Sequence, residues 1–298
     1  KNETTTGGSN TAVGRSALKK NTTGSNNTAI GNLALDAQTT VNNNTAIGHA
    51  ALTANTTGTP NTAVGAFAGQ SITEGANTTL LGFAAGDAIT TANDNTYIGH
   101  NAGTANTSGA SNTGVGSAVL AANTTGTSNS AVGSLALDAN TTGFQNTAVG
   151  YLSMSANTTA SNNTSLGYNS LGLNTTGTQN TAVGSQSLLN NTTGQSNTAV
   201  GYQAAKSITT GSYNTVIGEL ALLDNTTGQA NTALGRAALF DNTEGNNNTS
   251  VGYNSLLLNT TGTQNVAVGA VALDANTTAD NNTAIGYASL GANTTGTP

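Results

Sequence analysis

Asn10-Thr11-Ala12-Val13-Gly14 returns in near copy every 17 residues until Asn282-Thr283-Ala284-Ile285-Gly286, with no insertion or deletion on the way. A short period that never slips marks an array growing in one dimension, each unit touching only its neighbours. This overrides the one or two globular domains that 298 residues would otherwise suggest. Residues 10–298 hold seventeen complete units and residues 1–9 the tail of a preceding one, so 1–298 reads as a single repeat array. The chain starts mid-unit and stops at a unit boundary, Pro298, with neither end resembling the polar caps of stacked repeats. The expectation is a segment of a longer chain, or ends covered by other copies.

The unit, numbered from its first Asn, has the consensus N-T-A-V-G-x-x-A-L-x-x-N-T-T-G-x-x. Its fourth position is always Val, Ile or Leu, as in Val13, Ile30, Leu81 and Ile285. Side chains alternate faces along a strand. Taking the fourth position as inward places the second, usually Thr, inward and the third, usually Ala, outward. The invariant glycine that follows suits a sharp corner. The ninth position is usually Leu. Where it shrinks to Gly69, Gly86 or Ala205, the twelfth changes from Asn to Ile72, Ile89 or Ile208. Both positions then reach one internal hole, because cores are sensitive to missing volume. Gly103 with Asn106 lacks that compensation and predicts the weakest packing. The thirteenth position is Thr throughout, which suggests hydroxyls stacked on their own images, and the Asn of the twelfth can form an amide ladder. T-T-G makes a second corner, which tolerates Val41, Ala92, Ala160 and Ala279 and so uses ordinary φ.

The fold class expected is all-β, a parallel β-solenoid (β-roll) of about 17 coils with 17 residues per coil. The spacing also permits a strand plus a short helix per turn. Strands stack about 4.8 Å apart and helices about 10 Å, so that alternative would force a strongly curved horseshoe. Straight coils would instead give a rod on the order of 80 Å long.

Only 6% of residues are charged and 4% aromatic, with no Trp and no Cys, so a conventional Leu/Phe core is excluded. The apolar register argues against disorder. Absence of Cys fits an exterior protein. Lys1, Arg15, Lys19, Lys20, Lys206 and Arg236 are scattered and form no basic patch, which argues against nucleic acid as a partner. No apolar run approaches the roughly 20 residues that span a membrane, and no signal peptide is visible.

The stretch Asn146-Thr147-Ala148-Val149-Gly150-Tyr151-Leu152-Ser153 resembles the head repeats of trimeric autotransporter adhesins. It is also similar to Asn/Thr/Gly-rich repeats of phage tail-fibre and bacterial surface-fibre proteins. The resemblance implies a left-handed parallel β-roll, three chains side by side, and binding to host surfaces. The 17-residue unit and the T-T-G corner depart from those repeats.

No catalytic, cofactor-binding or metal site is expected. His49 and His100 both occupy sixth positions three coils apart, roughly 14 Å along a solenoid, and read as exposed variable residues. Asp36, Asp87, Asp138 and Asp274 share the tenth position in coils that are not adjacent, whereas a calcium-binding roll needs Asp in nearly every turn. No Lys follows a glycine-rich segment in the manner of a phosphate-binding loop. Tyr151, Tyr168, Tyr202, Tyr253 and Tyr287 share the sixth position with Phe83 and are candidate surface contacts. Against an aromatic stripe for carbohydrate stands the fact that only Tyr151 and Tyr168 are in consecutive coils. The twelfth position supplies the N-glycosylation pattern at Asn21, Asn55, Asn106, Asn123, Asn140, Asn157, Asn174, Asn191, Asn225, Asn259, Asn276 and Asn293. The competing reading makes that pattern a by-product of an Asn/Thr ladder.

The functional expectation is a non-enzymatic structural repeat, the stiff shaft or head of an extracellular fibre, on a cell surface or virion. Its partners are copies of itself, as a trimer or filament, and cell-surface glycans, with no membrane insertion. The Ala-rich third and eighth positions, read as outward, would supply the lateral contact, with Ala131 and Ala148 as probes. The alternative is a surface-binding module for glycans or ice. Ice is disfavoured because the strand carries Thr-x-Val and lacks Thr-x-Thr.

Overall fold

A computed structural model of the chain describes residues 6–296. The chain forms two compact units, Lys1–Asn146 and Thr147–Pro298. Among the described residues the first holds eight strands, β1 (Thr11–Val13) to β8 (Ser130–Val132), and the second nine, β9 (Thr147–Val149) to β17 (Thr283–Ile285). Each strand pairs in parallel with the equivalent strand of the next repeat in its unit. Thr11 faces Thr28, Ala12 faces Ala29 and Val13 faces Ile30, and likewise Thr164 faces Thr147 in the second unit. The fold is a β-solenoid with one 17-residue repeat per coil, and no helix occurs among the described residues.

Only three or four residues per coil are regular strand, yet the remainder of the coil is also bonded to its neighbours. On a second side Leu18 N donates to Ala34 O at 3.1 Å and Leu33 N to Arg15 O at 3.0 Å. On a third, Thr22 N donates to Thr39 O at 2.8 Å and Asn26 N to Gly8 O at 3.0 Å. Interior coils therefore place backbone donors and acceptors on partners above and below, as buried polar backbone requires.

The alternation along the strand is as expected, but its phase is opposite. Ala29, Ala46, Ala63, Ala131 and Ala148 at the third position are fully buried, and so are Ala17, Ala34 and Ala51 at the eighth. The fourth position points outward: Val13 is 58% exposed and Leu81 47%. The reason lies in what the coil must enclose. Asn at position 1 faces inward to bond the corner, which forces the third position inward and the second and fourth outward. The coil is thin, and one large residue per turn, usually the ninth-position Leu, fills it. Only a small residue then fits at positions three and eight. The Ala columns are thus interior and cannot make the lateral contact assigned to them.

The interior holds two asparagine ladders. In the twelfth-position ladder, Asn140 Nδ2 donates to Asn123 Oδ1 at 2.8 Å. In the first-position ladder, Asn129 N donates to Asn112 Oδ1 at 3.0 Å. The two columns converge on the second corner. The Gly126 carbonyl accepts from Asn112 Nδ2 at 2.9 Å and from Asn123 Nδ2 at 3.1 Å. Where the twelfth residue is Gln38, its longer amide still reaches the corner, donating to Val41 O at 3.1 Å. The thirteenth-position Thr hydroxyls do not stack on one another. Most donate to the carbonyl of their counterpart in the next coil, as Thr124 Oγ1 does to Thr141 O at 3.1 Å.

Volume compensation holds and extends further than the ninth and twelfth positions. A Cβ on Gly86 would lie 2.7 Å from Ile89 Cδ1 and 2.8 Å from Leu80 Cδ2. Ile89→Ala should cost about 2–5 kcal/mol, and Leu137→Ala should behave alike from the opposite wall. An unchanged melting midpoint for either variant would show that its side chain does not fill the hole. The Gly103 coil, expected to be loosely packed, is filled from the third position. Tyr97 is fully buried, and its ring lies 2.5 Å from where a Gly103 Cβ would sit.

Candidate functional site

Among the outward columns, those at the second, fourth and sixth positions carry the apolar and aromatic side chains. The second and fourth positions form a face of Thr beside Val, Ile or Leu. The two columns are roughly 7 Å apart along the strand and repeat about every 4.8 Å between coils. No charged residue occupies either column in any repeat. In the first unit Val13, Ile30, Leu81 and Val132 are exposed, and in the second Leu166, Ile217, Leu234 and Ile285. Surface positions of a monomer carry scattered apolar residues, whereas here they recur at the same place in successive repeats.

The sixth-position column follows the glycine corner, and here side chains pair with the coil above. His49, Phe67, Phe83 and His100 form a continuous ring ladder with centroids 5.1, 5.7 and 5.5 Å apart. Phe67 is a seventh-position residue that stands in where the sixth is Ala66. The two His are exposed, as expected, and are joined through aromatic neighbours. In the second unit Tyr151 and Tyr168 stack at 6.0 Å. Arg236 pairs with Glu219 at 3.5 Å on one side and lies 5.8 Å from the Tyr253 ring centroid on the other. Tyr202 and Tyr287 are exposed. Tyr151 and Tyr168 turn one ring face toward each other and both stay about half exposed.

The nominated glycosylation column lies inside. Asn21, Asn55, Asn106, Asn123, Asn140, Asn157, Asn174, Asn191, Asn225, Asn259 and Asn276 are fully buried. Their amides bond the second corner, as Asn174 Nδ2 does to Gly177 O at 3.0 Å. Asn293, in the last coil, makes the same bond at 3.0 Å from a more open position. In the folded chain the buried column has no nitrogen to offer an enzyme.

The titratable groups stay dispersed. Among the described residues no three His, Cys, Asp or Glu side chains are placed to hold a metal ion. Asp87 and Asp138 have pKa values raised by partial burial, against backbone hydrogen bonds that lower them. Asp241 is raised by burial and then by the charge of Asp224 in the adjacent coil. Burial likewise pushes the Tyr97 phenol above its ordinary value. No helix among the described residues is long and apolar enough to cross a membrane. No protein-family model, curated protein or solved structure matches the chain.

Proposed function

We propose that this chain is a structural, non-enzymatic repeat protein, the shaft or head of an extracellular fibre on a cell surface or virion. Copies of the chain associate through the Thr/Val face as a trimer or filament. The observation that carries this reading is the outward fourth-position column, apolar in every repeat and free of charge on both of its strand positions. A solvated face would carry Lys, Glu or Asp, and apolar surface of this regularity gains by leaving water. The stacked backbone ladders suit a load-bearing role, since each interior coil is held from both sides. The likeness to trimeric autotransporter heads and fibre repeats agrees with this reading.

Light scattering on the purified chain should report a mass above that of one 29.1 kDa chain. Leu81→Lys with Ile217→Lys places one charge on the face of each unit and should reduce the mass to a single chain while leaving the circular dichroism unchanged. A monomer at micromolar concentration before substitution, or an assembly unaffected by both lysines, would refute the face. The exposed Tyr side chains of the second unit support a second reading, a glycan-binding module. A glycan array that shows binding abolished by Tyr202→Ala and Tyr287→Ala would favour it.

A further inference from the structure

The T-T-G asparagines are not the only acceptor-type asparagines in the chain. The last residue of the repeat is Asn at Asn26, Asn43, Asn77, Asn162, Asn247 and Asn281, and each is followed two residues later by Thr. These six complete the Asn-x-Thr pattern across the boundary between repeats, where no consensus written within one unit displays it. We propose that they are the N-glycan acceptors of this protein.

All six are exposed, at the bend just ahead of the strand. Their φ values lie between 56 and 62°, in the left-handed region that Asn tolerates better than most residues. Their backbone is held, as where Asn247 N donates to Gln229 O at 3.0 Å and Asn281 N to Thr263 O at 3.1 Å. The intervening residue, Asn or Thr, is buried. The partner Thr two residues on, such as Thr79, Thr164 and Thr283, faces out. The acceptor asparagine is thus exposed in all six, and the Thr that completes the pattern is exposed at Thr79, Thr164 and Thr283 and half-buried at Thr28, Thr45 and Thr249. In the twelfth-position pattern the amide is inside and only the hydroxyl is outside. The two sets share a sequence signature and differ in geometry.

The donor class is an oligosaccharide carried on a polyisoprenyl pyrophosphate. Asn Nδ2 forms a bond to the sugar C1 as the C1–O bond to the pyrophosphate breaks. The amide proton goes to a base of the transferase, and the lipid pyrophosphate leaves. The extracellular reading supplies the encounter with such a transferase, and the inference does not depend on how the chains assemble.

The test is expression of the full chain in a secreting eukaryotic host, followed by peptide mapping after glycosidase release in heavy-oxygen water. Conversion to labelled Asp is expected at the six bend asparagines and at none of the buried twelfth-position ones. Replacing all six by Gln should abolish the label at these peptides. It should leave secretion and circular dichroism unchanged, because Gln145, Gln179 and Gln264 already occupy the same place with φ values of 55, 60 and 59°. Folded, secreted protein without label at the six, or with label on the buried column, would overturn the assignment. Assembly measured by light scattering is a separate readout, so failure here leaves the fibre reading standing.

Discussion

Replacing Gly99 with Ala is expected to destabilise its region by on the order of 4 kcal/mol or more, the scale reserved for disrupted backbone and core sites. Gly99 has a φ of +142°, and an added Cβ would lie 2.2 Å from Gly116 O and 2.6 Å from Gly116 C. Such a φ alone costs a residue with a side chain about 1–3 kcal/mol. The collision adds to it and cannot be relieved by a rotamer, because the opposing atoms are backbone of the next coil. That coil cannot yield freely either, since Gly116 itself abuts Gly133 O, 2.4 Å from its own would-be Cβ. Separating the coils would stretch the bonds from Gly116 N to Ile98 O, 2.8 Å, and from Ala118 N to His100 O, 2.9 Å. Native-state hydrogen exchange should show lost protection in the coils around residue 99 along with a lower melting midpoint. Gly75→Ala is the control. Gly75 lies outside the positive-φ region, its added Cβ would crowd a single backbone atom, Ala92 O at 2.6 Å, where that of Gly99 meets both O and C of Gly116, and Ala92 already occupies the same corner one coil on. Its loss should be clearly smaller, and equal losses for the two variants would show that the first corner has no special geometry.

The period, the two corners and the twelfth-position amide ladder were all legible in the repeat, because each leaves one residue type in one column. The phase of the strand was not. A fourth position that is always Val, Ile or Leu reads as core, and only the thinness of the coil makes it surface. A signal for the true phase was nonetheless present. The third position enlarges from Ala to Leu80, Tyr97 and Val216 where nearby ninth positions are Gly69, Gly86, Gly103 and Ala205. Residues that exchange volume share a cavity, so the third position had to be interior. Other features left no compositional trace. Leu135, Leu137 and Gln145 have φ values of 56, 50 and 55°, and neither Leu nor Gln advertises a left-handed conformation. Such residues cost about 1–2 kcal/mol apiece and are held by the bonds between coils. The acceptor pattern of the twelfth position was visible, but its burial was a property of the ladder and not of the three residues that spell it.

Tyr97 provides the second large effect. Tyr97→Ala should cost about 3–5 kcal/mol, as for other large aromatic deletions from a core. The ring fills space that the consensus assigns to a ninth-position Leu. Gly103→Leu alone should also destabilise, because its Cβ would start 2.5 Å from Tyr97 Cε2. The two changes together rebuild the Ala/Leu pairing of the ordinary coil. The backbone is already suited to it: Gly103 has a φ of +61°, close to the 50° of Leu120 and Leu137 at the same place in the next two coils. The double variant should therefore be more stable than either single one, with a coupling of about 2–3 kcal/mol. Recovery should stop short of complete, because a Gly114 Cβ would lie 2.9 Å from Tyr97 Cδ1. Removing the ring opens a second gap beside Gly114, and adding Gly114→Ala should close it. Additive losses in the double variant would mean that the third and ninth positions do not share one cavity. The account of the interior as one volume divided differently from coil to coil would then fail.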